Sequence, residues 1–258
     1  MDSASPIDTV KTGSPAQTPE RLRWGPWATL AWGIPITLTL IVAQTAGAIG
    51  FLRWWRLVHP EHPIPIANLA SNGAVLAFAL AASAPIVLGF LAFVVRLSHV
   101  PLGEYLALKR PRLRDAGIGA GAVLAVLLLT GVVAAITGQQ TPEFMTDTYA
   151  SARAAGMLPL LLFSFVILGP LQEEMLFRGF LFRGFAAALG VWPTIALTAA
   201  AWALTHAQYQ WFFVGEIFAL GVALGWLRAR SGSTLLTFAL HALINGSALV
   251  EVALLSGP

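Results

Sequence analysis

The sequence predicts an all-α fold: a polytopic bundle of about seven to eight transmembrane helices. Two observations carry that expectation. Hydrophobic residues make up 57% of the chain and charged residues 10%, with a mean hydropathy of +0.75, whereas a soluble domain typically carries about 25% charged residues. Apolar runs long enough to cross a bilayer, about 20 residues each, also recur along the 258 residues.

The runs fall at 27–52, 69–95, 116–137, 157–189, 193–210, 212–227 and 234–255. The fourth is longer than a straight span needs, and breaking it would give an eighth. The fifth and sixth are separated only by the short polar step Gln208–Gln210. Residues 59–65, with three prolines, read as an extended external loop. Gly221 and Gly225 form a small-xxx-small step that lets another helix approach closely. No internal repeat is visible.

Residues 1–23 are rich in Ser, Thr, Pro and charge and lack the apolar core of a signal peptide. They read as a disordered polar tail, followed by N-terminal transmembrane helices (24–156) and a C-terminal core (157–255). The basic clusters Arg96, Lys109, Arg110, Arg112 and Arg114, and Arg228 with Arg230, fall on one side of a seven-span chain. By the positive-inside rule that side, with the N-terminus, is cytoplasmic. Arg53, Arg56 and Arg153 are left outside. The plasma membrane is the expected location.

Composition also excludes. The chain has no cysteine, so disulfides and thiolate chemistry are absent. The scattered net charge of +3 argues against a nucleic-acid partner. There is no His-Glu-x-x-His and no Gly-x-Ser-x-Gly. The aspartates (Asp2, Asp8, Asp115, Asp147) all lie outside the spans, which rules out an intramembrane aspartyl dyad.

An ionisable side chain inside a span costs about 2.5–3.5 kcal/mol on insertion scales and marks a functional candidate. The fourth run holds Gln172-Glu-Glu-Met-Leu-Phe-Arg-Gly179. Glu174 and Arg178 stand at i,i+4 and can neutralise each other. Glu173 points about 100° away around the helix and is left to accept a proton. The fifth run ends in Trp202-Ala-Leu-Thr-His206, and the seventh carries His241-Ala-Leu-Ile-Asn245, each pair again at i,i+4. Counted at about 1.5 Å per residue, Glu173, His206 and His241 reach overlapping depths. They are expected to converge on an intramembrane cavity below the cytoplasmic surface. A carboxylate with an imidazole can activate water as general base. Glu173, His206 and His241 could instead hold a metal such as Zn2+ that acidifies its water. Asn245 or a protonated histidine could donate to an oxyanion. All of these suit hydrolysis of an acyl bond such as a peptide.

With these three motifs the sequence resembles the CAAX proteases and bacteriocin-processing enzymes, the CPBP intramembrane metalloproteases. Glu173-Glu174 with Arg178 matches the Glu-Glu-x-x-x-Arg motif and His241 with Asn245 the His-x-x-x-Asn motif. His206 matches Phe-x-x-x-His, with Trp202 where phenylalanine is usual. The resemblance covers about residues 159–249 and implies an intramembrane peptidase related to the type II CAAX prenyl endopeptidases. It implies a peptide or protein substrate, lipidated in the prenylated case, met within the lipid bilayer. It also implies that Glu173 and His206 activate water, that His241 and Asn245 stabilise the oxyanion or help hold a metal, and that Glu174 and Arg178 support the site. Zn2+ and a metal-free glutamate mechanism both fit the residues. A non-catalytic membrane-binding partner of the same family is the alternative, and a transporter a more distant one, since no repeat or paired broken helices support it.

Overall fold

The computed structural model describes residues 24–256, so the tail assigned to 1–23 lies outside the described residues. The elements run α1 (Pro26–Val58), a 3-10 turn (Ile66–Ser71), α2 (Gly73–Leu97), α3 (Leu102–Tyr105), α4 (Leu113–Thr137) and α5 (Glu143–Ala154). They continue as α6 (Leu158–Leu189), α7 (Val191–Leu204), α8 (Trp211–Ser231) and α9 (Thr234–Leu255), with no strand among the described residues. All of α1, α2, α4, α6, α8 and α9 are long and apolar enough to cross a membrane. The apolar α7 has 14 residues, about 21 Å, short of the roughly 30 Å hydrocarbon core.

The fourth and fifth runs differ in how far they stay helical. The fourth run is not broken: α6 stays continuous and absorbs two π-helical stretches, Ser164–Leu168 and Met175–Leu181. The fifth run does not stay helical to Gln210. After Leu204 the chain tightens into turns, with Thr205 N donating to Trp202 O at 3.1 Å and His206 N to Ala203 O at 3.0 Å. The two short helices α3 and α5 occupy stretches that read as connections.

Local sequence explains where helices begin and end. Asn72 Oδ1 accepts from Val75 N at 3.1 Å and starts α2, and Ser233 Oγ accepts from Leu236 N at 3.2 Å and starts α9, both as N-caps. Gly138 (φ 70°) and Gly232 (φ 65°) end α4 and α8 in the left-handed region. The close approach expected at Gly221 and Gly225 is present. A Cβ on Gly221 would lie 3.0 Å from Ala199 Cβ and 3.1 Å from Trp202 Cε3, and one on Gly225 would lie 3.1 Å from Ile195 Cγ2.

The bundle has two chemically distinct ends. At the basic end Arg183 donates to Glu104 O (2.9 Å), Arg230 pairs with Asp115 (3.4 Å) and Thr234 N donates to Ala107 O (3.0 Å). At the opposite end α5 is stitched to the start of α2. Gly73 N donates to Ser151 Oγ (2.8 Å) and Thr148 Oγ1 to Ser71 O (3.2 Å). Between the ends lies a core that includes Leu91, Val94, Phe180, Leu224 and Leu240. Large apolar side chains of α1 and α4 such as Ile41, Val42, Leu128 and Leu129 face outward, as lipid contact requires.

Candidate active site

The site forms where α6, α7 and α9 meet. Arg178 Nη1 lies 2.8 Å from Glu174 Oε1, with both side chains fully buried. Arg178 also donates to Gly221 O (3.4 Å), and its guanidinium carbon sits 4.4 Å from the centroid of the Trp202 ring. The i,i+4 pair read from the sequence is thus present, and two further partners surround the cation. That matters because removing one member of a buried pair leaves the other charge uncompensated.

His241, buried on α9, places Nδ1 3.0 Å from Glu174 Oε1. A carboxylate only accepts, so Nδ1 carries a hydrogen and Nε2 is the ring nitrogen left for the site. That Nε2 lies 3.9 Å from Glu173 Oε2. Glu173 keeps 25% side-chain exposure, while Glu174, one residue on, keeps none. The indole Nε1 of Trp202 donates to Glu173 Oε2 at 2.5 Å.

Trp202 stands edge-on to both imidazoles, 5.4 Å from the His206 centroid and 5.0 Å from that of His241. His206 sits in the turn after α7 with Nδ1 3.0 Å from Trp202 O. That carbonyl fixes the hydrogen on Nδ1 and leaves Nε2 as acceptor. Tyr209 stacks on His206 (6.2 Å, 15°), and its hydroxyl donates to Met145 Sδ on α5 at 3.1 Å. Burial, and secondarily the Glu173 carboxylate, raises the Tyr209 hydroxyl above the ordinary tyrosine range. Asn245 Nδ2 donates to Phe165 O at 2.9 Å.

The two π-helical stretches explain part of this arrangement. A π turn shifts the hydrogen-bond ladder, and each stretch gives a carbonyl to a side chain of another helix. Phe165 O accepts from Asn245, and Arg178 O accepts from Arg228 Nε at 2.9 Å.

Glu173, His206 and His241 are not gathered as a metal set. Among the described residues no group of three or more His, Cys, Asp or Glu is placed to hold a metal ion. Trp202 packs edge-on against both imidazoles, and each ring commits Nδ1 elsewhere, His206 to Trp202 O and His241 to Glu174. The Trp202 ring packs beside Glu173, the partly exposed carboxylate of the group. Tyr209 links His206 toward α5 through Met145, whereas Arg178 and Glu174 are buried beside α8, with Arg178 O accepting from Arg228 Nε.

Sequence reasoning passed over three participants. The indole N–H of Trp202 was visible in the motif, yet only its aromatic ring was weighed. Tyr209 lies in the polar step after His206. Met145 belongs to α5, whose apolar residues are too few to advertise contact with the site.

Fold and site together define a membrane-helix bundle with a buried carboxylate–imidazole centre. Residues 155–247 match the family model of Rce1-like type II CAAX prenyl endopeptidases, which bears out the resemblance carried by the three motifs. The chain is also 33% identical over 138 residues to an uncharacterised 24.3 kDa protein of Escherichia coli; the match covers 50% of this chain and 62% of that relative's length. No solved structure matches the chain.

Proposed function

We propose that the chain is an intramembrane endopeptidase of the CAAX type, cutting a peptide or protein within the bilayer with Glu173 as general base. The observation that carries this reading is the contrast between adjacent carboxylates: Glu174 is fully buried and paired, while Glu173 is partly exposed beside Nε2 of His241. The 3.9 Å separation of Glu173 Oε2 and His241 Nε2 is too long for a direct hydrogen bond and suits a bridging water that donates to both. As that water attacks the carbonyl carbon, Glu173 takes its proton and returns it to the amine nitrogen when the C–N bond breaks. The second Nδ2 hydrogen of Asn245 would donate to the developing oxyanion. Glu174 and Arg178 hold His241 in the tautomer this requires. The basic end is cytoplasmic by its Lys and Arg excess. The substrate, lipidated tails included, enters laterally from lipid.

Cleavage of a membrane-delivered reporter by the purified protein tests this. Glu173→Ala and His241→Ala are expected to abolish it, with a loss of about 10²–10⁴-fold for a general base, while the variants still insert and fold. Full activity in both would defeat the peptidase reading. A second reading, a non-catalytic binding partner, draws on His206 and Asn245 each being tied to a backbone carbonyl. It would be favoured if wild type cleaves nothing yet a partner's function fails without it.

A further inference from the structure

We propose that a cavity at the far end of α1 binds the phosphodiester headgroup of an anionic phospholipid. The cavity, about 230 Å³, lies between the last turns of α1 and the loop leading to α2. Arg53 and Arg56 line it, one turn apart on the same helix face. Both are exposed, and neither has a carboxylate within ion-pair distance among the described residues. Glu61, the acid nearest in sequence, pairs instead with His62 at 3.5 Å.

Position argues for lipid. Arg53 lies about 40 Å along α1 from Pro26 at 1.5 Å per residue. That places the guanidinium pair past the hydrocarbon core and in the headgroup layer. Arginines at this end run against the charge bias of the rest of the chain, whose cations gather at the basic end. The loop is held over α1 by Trp55 Nε1, which donates to His62 O at 2.9 Å. Leu52, Ile64 and Leu69 supply apolar walls beneath the two cations. A planar guanidinium can hold phosphate oxygens bidentately, and the walls suit the glycerol and upper acyl carbons. A free inorganic phosphate would meet the same cations but gain nothing from the walls.

The test uses the full chain in detergent and does not depend on peptidase activity. Native mass spectrometry would measure retention of phosphatidylglycerol against phosphatidylcholine for wild type and for the R53Q/R56Q double variant. Wild type is expected to prefer phosphatidylglycerol, and the double variant to lose about 30-fold of that preference, at roughly 1 kcal/mol per arginine. An R153Q control should keep it. Unchanged preference in R53Q/R56Q, with helicity intact by circular dichroism, overturns the proposal. Displacement of phosphatidylglycerol by millimolar inorganic phosphate would make this an anion site rather than a lipid site, and overturns it equally.

Discussion

Glu173 and Glu174 are neighbours in sequence and opposites in environment. Glu174 has no exposed side-chain surface and shares one oxygen between Arg178 and His241. Glu173 keeps a quarter of its surface and is touched by one strong donor, the Trp202 indole. One helical step, about 100°, therefore separates a fully buried, doubly partnered carboxylate from a partly exposed one. His241 joins the two, with one ring nitrogen on each carboxylate's side. The difference lies in pairing as much as in burial: Glu174 has two partners on one oxygen, whereas Glu173 has the indole and partial exposure.

The comparison breaks most severely at Arg178. Removing it leaves Glu174 without its cation in a dry interior, still bonded to His241, so Arg178→Ala is expected to destabilise the fold by about 3–5 kcal/mol. Thermal unfolding in detergent would read this as a large drop in midpoint. Glu173→Ala should leave the midpoint close to wild type. Equal losses for the two variants would erase the distinction between the carboxylates.

A smaller effect sharpens the role of Trp202. Trp202→Phe keeps an aromatic ring against both histidines and removes the N–H on Glu173. A hydrogen bond to a charged acceptor contributes about 1.5–3 kcal/mol. If the indole positions Glu173 for attack, kcat for reporter cleavage should fall at least about ten-fold at that cost, with KM little changed. A faster Trp202→Phe enzyme would mean that the indole competes with water for the carboxylate.

That residue also shows how far the sequence could be read. Helical spacing alone was enough to pair Glu174 with Arg178 and set Glu173 aside, because i,i+4 geometry is local. The match at residues 155–247 supports the wider motif reading. What stayed hidden depends on contacts between distant segments. His241 bonds Glu174 across 67 positions, and Asn245 reaches Phe165 across 80, through a carbonyl freed by a π turn that no residue pattern announces. Nor does overlapping depth along the helices announce an indole packed against both histidines. Seven apolar runs were legible from hydropathy, but the early end of α7 was not, since Thr205, His206 and Ala207 continue the helical pattern on paper.

The smallest expected effect concerns Tyr209, which bridges His206 and Met145. At neutral pH a hydroxyl on a thioether contributes little, and Tyr209→Phe should change stability by no more than about 0.5 kcal/mol, as for most substitutions away from special features. Above about pH 10 the two proteins should part. An unfolded tyrosine ionises near that value, whereas burial and Glu173 keep the folded Tyr209 protonated to higher pH. The folded state then binds more protons than the unfolded one, so stability falls as pH rises. It should fall by as much as about 1.4 kcal/mol per pH unit for this group. Tyr209→Phe lacks that slope. Tyr105, also raised by burial, is present in both proteins and cancels in their difference. Chemical denaturation between pH 9 and 11 should therefore show wild type losing stability faster than Tyr209→Phe. Parallel curves would mean that Tyr209 is open to solvent and that its contact with Met145 does not bury it.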